Sequence, residues 1–137
     1  MLIFTYFKNK LYAKRKKKSG IHFPISCKVF GVKMSDRQSL LAQSRAGDKL
    51  QIVHPKDKAY THHVFVYSVT LNCVLGCVEK DLAEKLIRLF GKGFCRDGEI
   101  KRITGGPPYK YFGCKILIFE SKSFMKDCKD FSSLHGA

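Results

Sequence analysis

The residues from Lys101 to Gly113, KRITGGPPYKYFG, combine cations and aromatic rings around a tight turn. Lysine and arginine contact phosphates, and an aromatic ring stacks on a nucleic-acid base of any identity. The N–H groups of a glycine pair can also face an anion, although Gly-Gly-Pro-Pro is equally typical of a plain turn. The stretch therefore predicts either a strand-binding loop with Lys101, Arg102, Lys110 and Tyr111 as contacts, or merely a bend between two strands.

Patterns typical of catalysis are absent from the sequence. It has no phosphate loop, GxSxG, HExxH or paired-carboxylate motif, so we predict neither an enzyme nor a cofactor. His54, His62 and His63 cluster with Asp57, and a metal site there is conceivable. These histidines flank a loop and lack the tight spacing of zinc ligands, so an ordinary polar surface is the favoured interpretation.

The charge is strongly positive, at +15. Residues 1–20 carry seven of the 26 basic residues and no acidic one, so residues 21–137 keep 19 bases against 11 acids. A field of this sign favours polyanions, nucleic acid before an anionic membrane surface. No apolar run has the length of a membrane span, so we predict no membrane span.

The six cysteines indicate reduced thiols. Cys27, Cys77 and Cys114 lie in apolar, strand-like runs, where a free cysteine acts as a small hydrophobe. Cys73 and Cys77 would stand about 13 Å apart along a strand, too far for a disulfide. With no secretory signal evident, we expect a reducing, intracellular and cytoplasmic location.

Composition divides the chain into three parts. Residues 1–20 are predicted to form a disordered basic arm, because the lysine run repels itself and offers little to bury. Three interpretations of the arm are open. It adds phosphate contacts, it tethers the chain weakly to a membrane, or it is not translated because the true start codon lies after it. Residues 21–122 form the predicted folded domain, and residues 123–137 a polar tail.

Hydrophobic periodicity predicts the order β-α-β-β-β-α-β-β for the domain. Val64 and Val66 should share one strand face and Phe65 and Tyr67 the other. A first helix should begin with a capping box of Ser35 and Gln38, and a second, over EKDLAEKLIRLFGKG, has a clear apolar face. In the last strand, we predict Phe112 for the core and Tyr111 for the surface. Short strands with two helices favour a small barrel over a doubly wound sheet.

Five motifs, taken in order, resemble the HIRAN domain: CKVFGVKMSDRQSLL, AGDKLQIVHP, HVFVYS, LGCVEKDLAEKLIRLFGKG and ITGG…YFGCKILIF. They cover residues 23–120, and the most specific are VFGV, the start of the second helix and the late hairpin. The resemblance implies a mainly β, α+β fold, a modified OB-like six-stranded β-barrel with two helices. It implies DNA binding, in the best-understood members at the free 3′ end of a single strand. DNA repair or processing is the implied setting, with a helicase or nuclease supplied by another chain.

Three basic or aromatic positions match the family. Lys33 stands at the basic position after the Val-Gly-like turn, Lys80 at the helix-start lysine, and Tyr111 at the late-hairpin aromatic. By contrast, Met34 and Ser35 occupy positions where the family has aromatics. The resemblance therefore implies Lys33, Lys80 and Tyr111 as nucleic-acid contacts.

The family's Asn-Pro-Tyr-Asp-like loop is altered to DKAYTHH. Asp57 stands at the Asn position and Tyr60 at the Asp position of that loop, which in the family meets the terminal nucleotide. General binding to a single strand or a DNA end needs only charge and stacking, so we expect it ahead of strict 3′-end recognition. The alternative is a protein-interaction module that has lost DNA binding.

Overall fold

Six antiparallel strands form one curled sheet in the order β1-β6-β5-β2-β3-β4, which makes a half-barrel. The computed structural model describes residues 2–123. Its strands are β1 Ile25–Lys28, β2 Lys49–Val53, β3 Phe65–Ser68, β4 Cys73–Cys77, β5 Cys95–Gly105 and β6 Phe112–Lys122, and its helices are α1 Leu2–Ser19, α2 Ser35–Gln43 and α3 Lys80–Phe90. For residues 2–123, the prediction of a mainly β fold with six strands is confirmed, and the helices number three instead of two.

The sheet curls because its longest strands are irregular. The pairing of β5 with β6 shifts register between Arg96 and Gly98 and again between Ile100 and Arg102, and such bulges bend a strand and increase its twist. The two ends of the sheet then meet where Phe30 pairs with Cys77, through two backbone hydrogen bonds of 2.8 Å.

The strand faces are as the alternation predicts. Val64 and Val66 belong to the main core, whereas Phe65 and Tyr67 lie with Val53 in a smaller cluster on the opposite face. Helix α3 buries Ala83, Leu86 and Leu89, which are part of that main core.

Helix α1 contradicts the prediction that residues 1–20 are disordered. The segment is helical over Leu2–Ser19 and packs against α3. The Tyr12 ring stacks on Phe90 with centroids 6.1 Å apart, and its hydroxyl donates to Glu120 Oε2 at 2.6 Å. Lys16, one turn later, makes an ion pair of 2.9 Å with the same carboxylate. The lysine run therefore has a docking face that charge counting alone does not reveal.

Replacing Tyr12 with phenylalanine should make unfolding less sensitive to acid. The hydrogen bond from Tyr12, together with Lys16, holds the pKa of Glu120 below its ordinary value of 4.5. A lowered carboxyl pKa stabilises the fold above that value, and this contribution is lost as the pH falls through the folded pKa. Since Glu120 is partly exposed, we expect less than about 1 kcal/mol.

Urea unfolding at about pH 7 and about pH 3 measures this effect. The Tyr12→Phe variant keeps the stacked ring but loses the hydrogen bond to Glu120. It should therefore be slightly less stable than the wild type at neutral pH and should lose less stability on acidification. Equal losses for the two proteins would show that the hydroxyl does not set the pKa of Glu120.

The capping box of Ser35 and Gln38 is wrong. The N-cap of α2 is Met34, which makes no side-chain cap hydrogen bond, and the Gln38 side chain bonds residues outside the helix. The predicted polar tail, apart from Ser123, lies outside the described residues. No described helix is long and apolar enough to cross a membrane.

Within residues 2–123, four cysteines are free thiols: Cys27, Cys73, Cys77 and Cys114. The absence of a Cys73–Cys77 disulfide is therefore confirmed. Burial raises the pKa of Cys27 to about 11 and that of Cys114 to about 12, so both are protonated at neutral pH.

Candidate nucleic-acid interface

The side chain of Gln38 joins two loops at one end of the half-barrel. Its Nε2 donates to the carbonyl oxygens of Val32 at 2.7 Å and Phe112 at 3.0 Å. The backbone N–H of Phe112 donates to its Oε1 at 2.7 Å. The loop of residues 30–34 and the tip of the β5–β6 hairpin, residues 106–111, are thus held side by side. We call this pair of loops the tip site.

Tyr111 and two lysines meet at the tip site. Lys33 Nζ lies 5.4 Å and Lys110 Nζ 5.3 Å from the centroid of the Tyr111 ring. Tyr111 is 38% exposed and Tyr109 is 73% exposed, whereas Phe112 is half-buried against the core. The prediction that Tyr111 faces the surface and Phe112 the core is confirmed. A base stacked on Tyr111 would have two cations within reach of its phosphates.

The Gly-Gly-Pro-Pro segment is a turn. The Gly106 N–H donates to Tyr111 O at 3.1 Å, and the Tyr109 N–H donates to Gly106 O at 2.6 Å. Gly105 has a φ of +72°, and a Cβ there would collide with the Tyr111 carbonyl oxygen. The N–H groups of Gly106 and Tyr109 are therefore used inside the hairpin, which leaves the side chains of this segment as its available anion-binding groups.

Phe30 and Met34 of the tip site, and Arg37 of α2 beside it, were not predicted as contacts. Phe30 is 50% and Met34 59% exposed, so the loop of residues 30–34 presents two apolar side chains to solvent. Arg37 donates from Nη1 to Gly31 O at 2.8 Å, which holds this loop against α2. The VFGVKM turn is the feature of the sequence that could have indicated Phe30 and Met34. The position of this turn, however, depends on the pairing of Phe30 with the distant Cys77.

A row of cations crosses the outer face of the sheet. Lys28 of β1 lies opposite Lys115 of β6, and Lys115 lies opposite Arg102 of β5. Lys101 stands in the bulge next to Arg102, and its Nζ donates to Ser26 Oγ at 3.2 Å. Like charges directly opposite one another on neighbouring strands are destabilising. The basic row, Lys28, Lys115 and Arg102, therefore concentrates positive charge on this face, and no ion pair within residues 2–123 neutralises it.

The basic row and the tip site both include residues of the β5–β6 hairpin. Lys115 of β6 follows Tyr111, which immediately precedes β6, by four residues, or about 13 Å of extended chain. The structure thus brings Lys33 and Lys110 to the Tyr111 ring. Lys101 and Arg102 lie farther along the hairpin, where Arg102 is opposite Lys115. Sequence analysis did not predict Lys28 as part of the site, because the three cations become neighbours only through the pairing of β1 with β6 and of β6 with β5.

Asp57 and Tyr60 lie in the β2–β3 loop, where residues 58–60 form a 3₁₀ turn. Asp57 caps that turn by accepting from the Ala59 N–H at 2.9 Å. The Tyr60 ring packs edge-on against Phe65 at 5.4 Å. Since Phe65 pairs with Cys77 and Cys77 pairs with Phe30, the backbone beside this loop is two strand spacings, about 10 Å, from the tip site.

Lys80 is the first residue of α3 and is exposed. It follows Cys77 by three residues, so it begins its helix close to the Phe30–Cys77 closure. Burial raises the pKa of the Cys77 thiol, an effect that Arg37 opposes. Lys80 thus begins α3 near the Phe30–Cys77 closure. Among the described residues, no contact joins it to Tyr111.

His54 has a structural role. Its Nε2 donates to Thr61 O at 2.9 Å, and its Nδ1 accepts from the Gly93 N–H at 3.0 Å. The residue is 3% exposed, and its ring stacks on Phe94. Both ring nitrogens are occupied, so His54 is not placed to bind a metal. Within residues 2–123, no group of three or more His, Cys, Asp or Glu side chains could hold a metal ion.

Comparisons of the chain with protein-family models, with curated proteins and with solved structures found no match.

Proposed function

We propose that the protein is a non-catalytic nucleic-acid-binding module, of the modified OB-like kind that its HIRAN-like motifs imply. It holds a single strand or a DNA end, with bases on the tip site and phosphates on the surrounding cations. DNA repair or processing is the setting that we propose, with helicase or nuclease activity supplied by another chain.

The observation that carries this proposal is the contact of Tyr111 with Lys33 and Lys110. An exposed ring between two cations matches the two needs of single-strand binding, stacking and charge. The basic row, with two of its three cations on the same hairpin, supplies a track for the phosphates that flank a stacked base. Lys80 lies near enough to the closure to extend that track.

Strict recognition of a 3′ hydroxyl is less well supported than general strand binding. The Asp57 carboxylate already accepts a hydrogen bond from its own loop, and Tyr60 packs on Phe65 and His63. Asp57 and Tyr60 thus serve mainly to shape the loop beside the tip site. We propose that this loop limits the path of the strand and does not read its end.

Fluorescence anisotropy with labelled single strands, free or phosphate-blocked at the 3′ end, tests the proposal at two salt concentrations. We expect both strands to bind, with log affinity falling by about 0.7 per log unit of salt for each phosphate neutralised. Loss of binding on blocking would instead assign 3′-end recognition. Binding to neither strand would contradict the proposed function.

The exposed side chains of Phe30 and Met34 favour one second candidate, a protein-interaction module. Both stand in the loop of residues 30–34, which also carries Lys33 and accepts a hydrogen bond from Arg37. Exposed apolar side chains next to cations would suit a partner segment that is both acidic and apolar. An affinity for single strands that is weak and insensitive to Tyr111 would favour this candidate over nucleic-acid binding.

A further inference from the structure

A pocket of about 470 Å³ between α1 and α3 is lined mainly by cations. Its lining consists of Arg15, Lys18, Ser19, Lys85, Arg88 and Leu89. Four of these six side chains are positively charged and none is acidic. The pocket is separate from the tip site, since none of its residues belongs to the two loops joined by Gln38.

The docking of α1 explains how these cations come together. Arg15 and Lys18 are three residues apart on α1, and Lys85 and Arg88 are three apart on α3, so each pair shares one helix face. Tyr12 fixes α1 on Phe90 at the end of α3. The basic faces of the two helices are therefore turned to a common space.

The described carboxylates leave these cations unpaired. Glu120, the carboxylate that meets α1, is already bound by Tyr12 and Lys16. Asp81 and Glu84 precede Lys85 and Arg88 by one helical turn, the spacing of an ion pair. Among residues 2–123, however, the Lys16–Glu120 pair is the only ion pair within 4.0 Å.

We propose that this pocket is a phosphate-binding site, distinct from the tip site, that takes two or more adjacent phosphate groups. Two arginines can each donate two parallel hydrogen bonds to a phosphate, and two lysines add point charges. No aromatic ring lines the pocket, so it recognises phosphates and not bases. The phosphates come either from a free polyphosphate compound or from a strand that extends beyond the tip site; the second source rests on the proposed function.

Calorimetric titration with inorganic tripolyphosphate tests the pocket by itself. The double variant Arg15→Ala/Arg88→Ala changes two exposed residues, so it should fold normally. We expect it to bind tripolyphosphate about tenfold or more weakly than the wild type. Lys49→Ala is the matched control, because Lys49 is exposed on β2 among Asp97 and Glu99, outside the pocket. The control should bind as the wild type does.

Single strands of about six and about twenty nucleotides identify the source of the phosphates. If the strand is the source, the double variant should weaken only the longer one, and its salt slope should fall by about 0.7 per lost phosphate contact. An unchanged affinity for the longer strand, with tripolyphosphate binding lost, would assign a free polyphosphate compound.

The proposal is overturned if the wild type does not bind tripolyphosphate, or if the double variant binds it equally well. Failure of both strands to bind the wild type would contradict the proposed function alone, because the tripolyphosphate titration still decides the pocket.

Discussion

Replacing Tyr111 with alanine should weaken single-strand binding by about 1–3 kcal/mol, the contribution of one stacked base, or 5- to 150-fold in affinity. The ring is 38% exposed and lies at the meeting point of the two loops. Its loss removes the stacking surface and also the π-face that holds Lys33 and Lys110 in place. Anisotropy at low salt measures the effect directly.

The Tyr111→Phe variant is the matched control. It keeps the ring and both cation contacts and loses only the hydroxyl, so its affinity should stay within about twofold of the wild type. The salt dependence should remain nearly the same in both variants, because neither changes a charge. An alanine variant that binds as tightly as the wild type would remove Tyr111 from the interface.

The sequence predicted the features that depend on local periodicity. The alternation of Val64 to Tyr67 was enough to assign the two faces of β3, because neighbouring side chains of a strand must point to opposite sides. The apolar face of α3 was predictable in the same way, from residues spaced at one helical turn. The surface position of Tyr111 followed from the same alternation.

Features that depend on distant partners were not predictable. The helix α1 docks through Tyr12 on Glu120, 108 residues away, and nothing in the lysine run itself reveals that partner. The basic row likewise requires a particular register among β1, β6 and β5. Because one residue of slip would move Lys115 to the core face, its three cations cannot be grouped from sequence spacing.

The role of Gln38 is the clearest case of a distant partner overriding a local motif. The Ser-x-x-Gln spacing predicted a capping box, yet the Gln38 amide reaches Phe112, 74 residues later. A glutamine side chain can donate two hydrogen bonds and accept others. Here it joins two loops, and the start of the helix is left without a side-chain cap.

Replacing Gln38 with alanine should therefore destabilise the fold and also weaken the tip site. The change removes three hydrogen bonds and leaves the N–H and carbonyl of Phe112 and the carbonyl of Val32 without their partner. An unpaired buried polar group costs about 1–3 kcal/mol. Since water can reach part of this site, we expect a loss of about 2 kcal/mol in the free energy of unfolding, measured with urea.

The Gln43→Ala variant separates this effect from helix propensity. Gln43 lies on the same helix, is exposed, and donates only to Ser39 O within the helix. The same substitution there should change stability by less than about 0.5 kcal/mol.

Strand affinity decides whether Gln38 also positions the tip site. Lys33 is in the loop that it holds and Tyr111 in the facing hairpin, so the Gln38→Ala variant should bind a single strand several-fold more weakly even where it is fully folded. A variant that loses stability but keeps wild-type affinity would mean that the two loops stay together without the amide. Lys33, Lys110 and Tyr111 would then be organised by the hairpin turn itself.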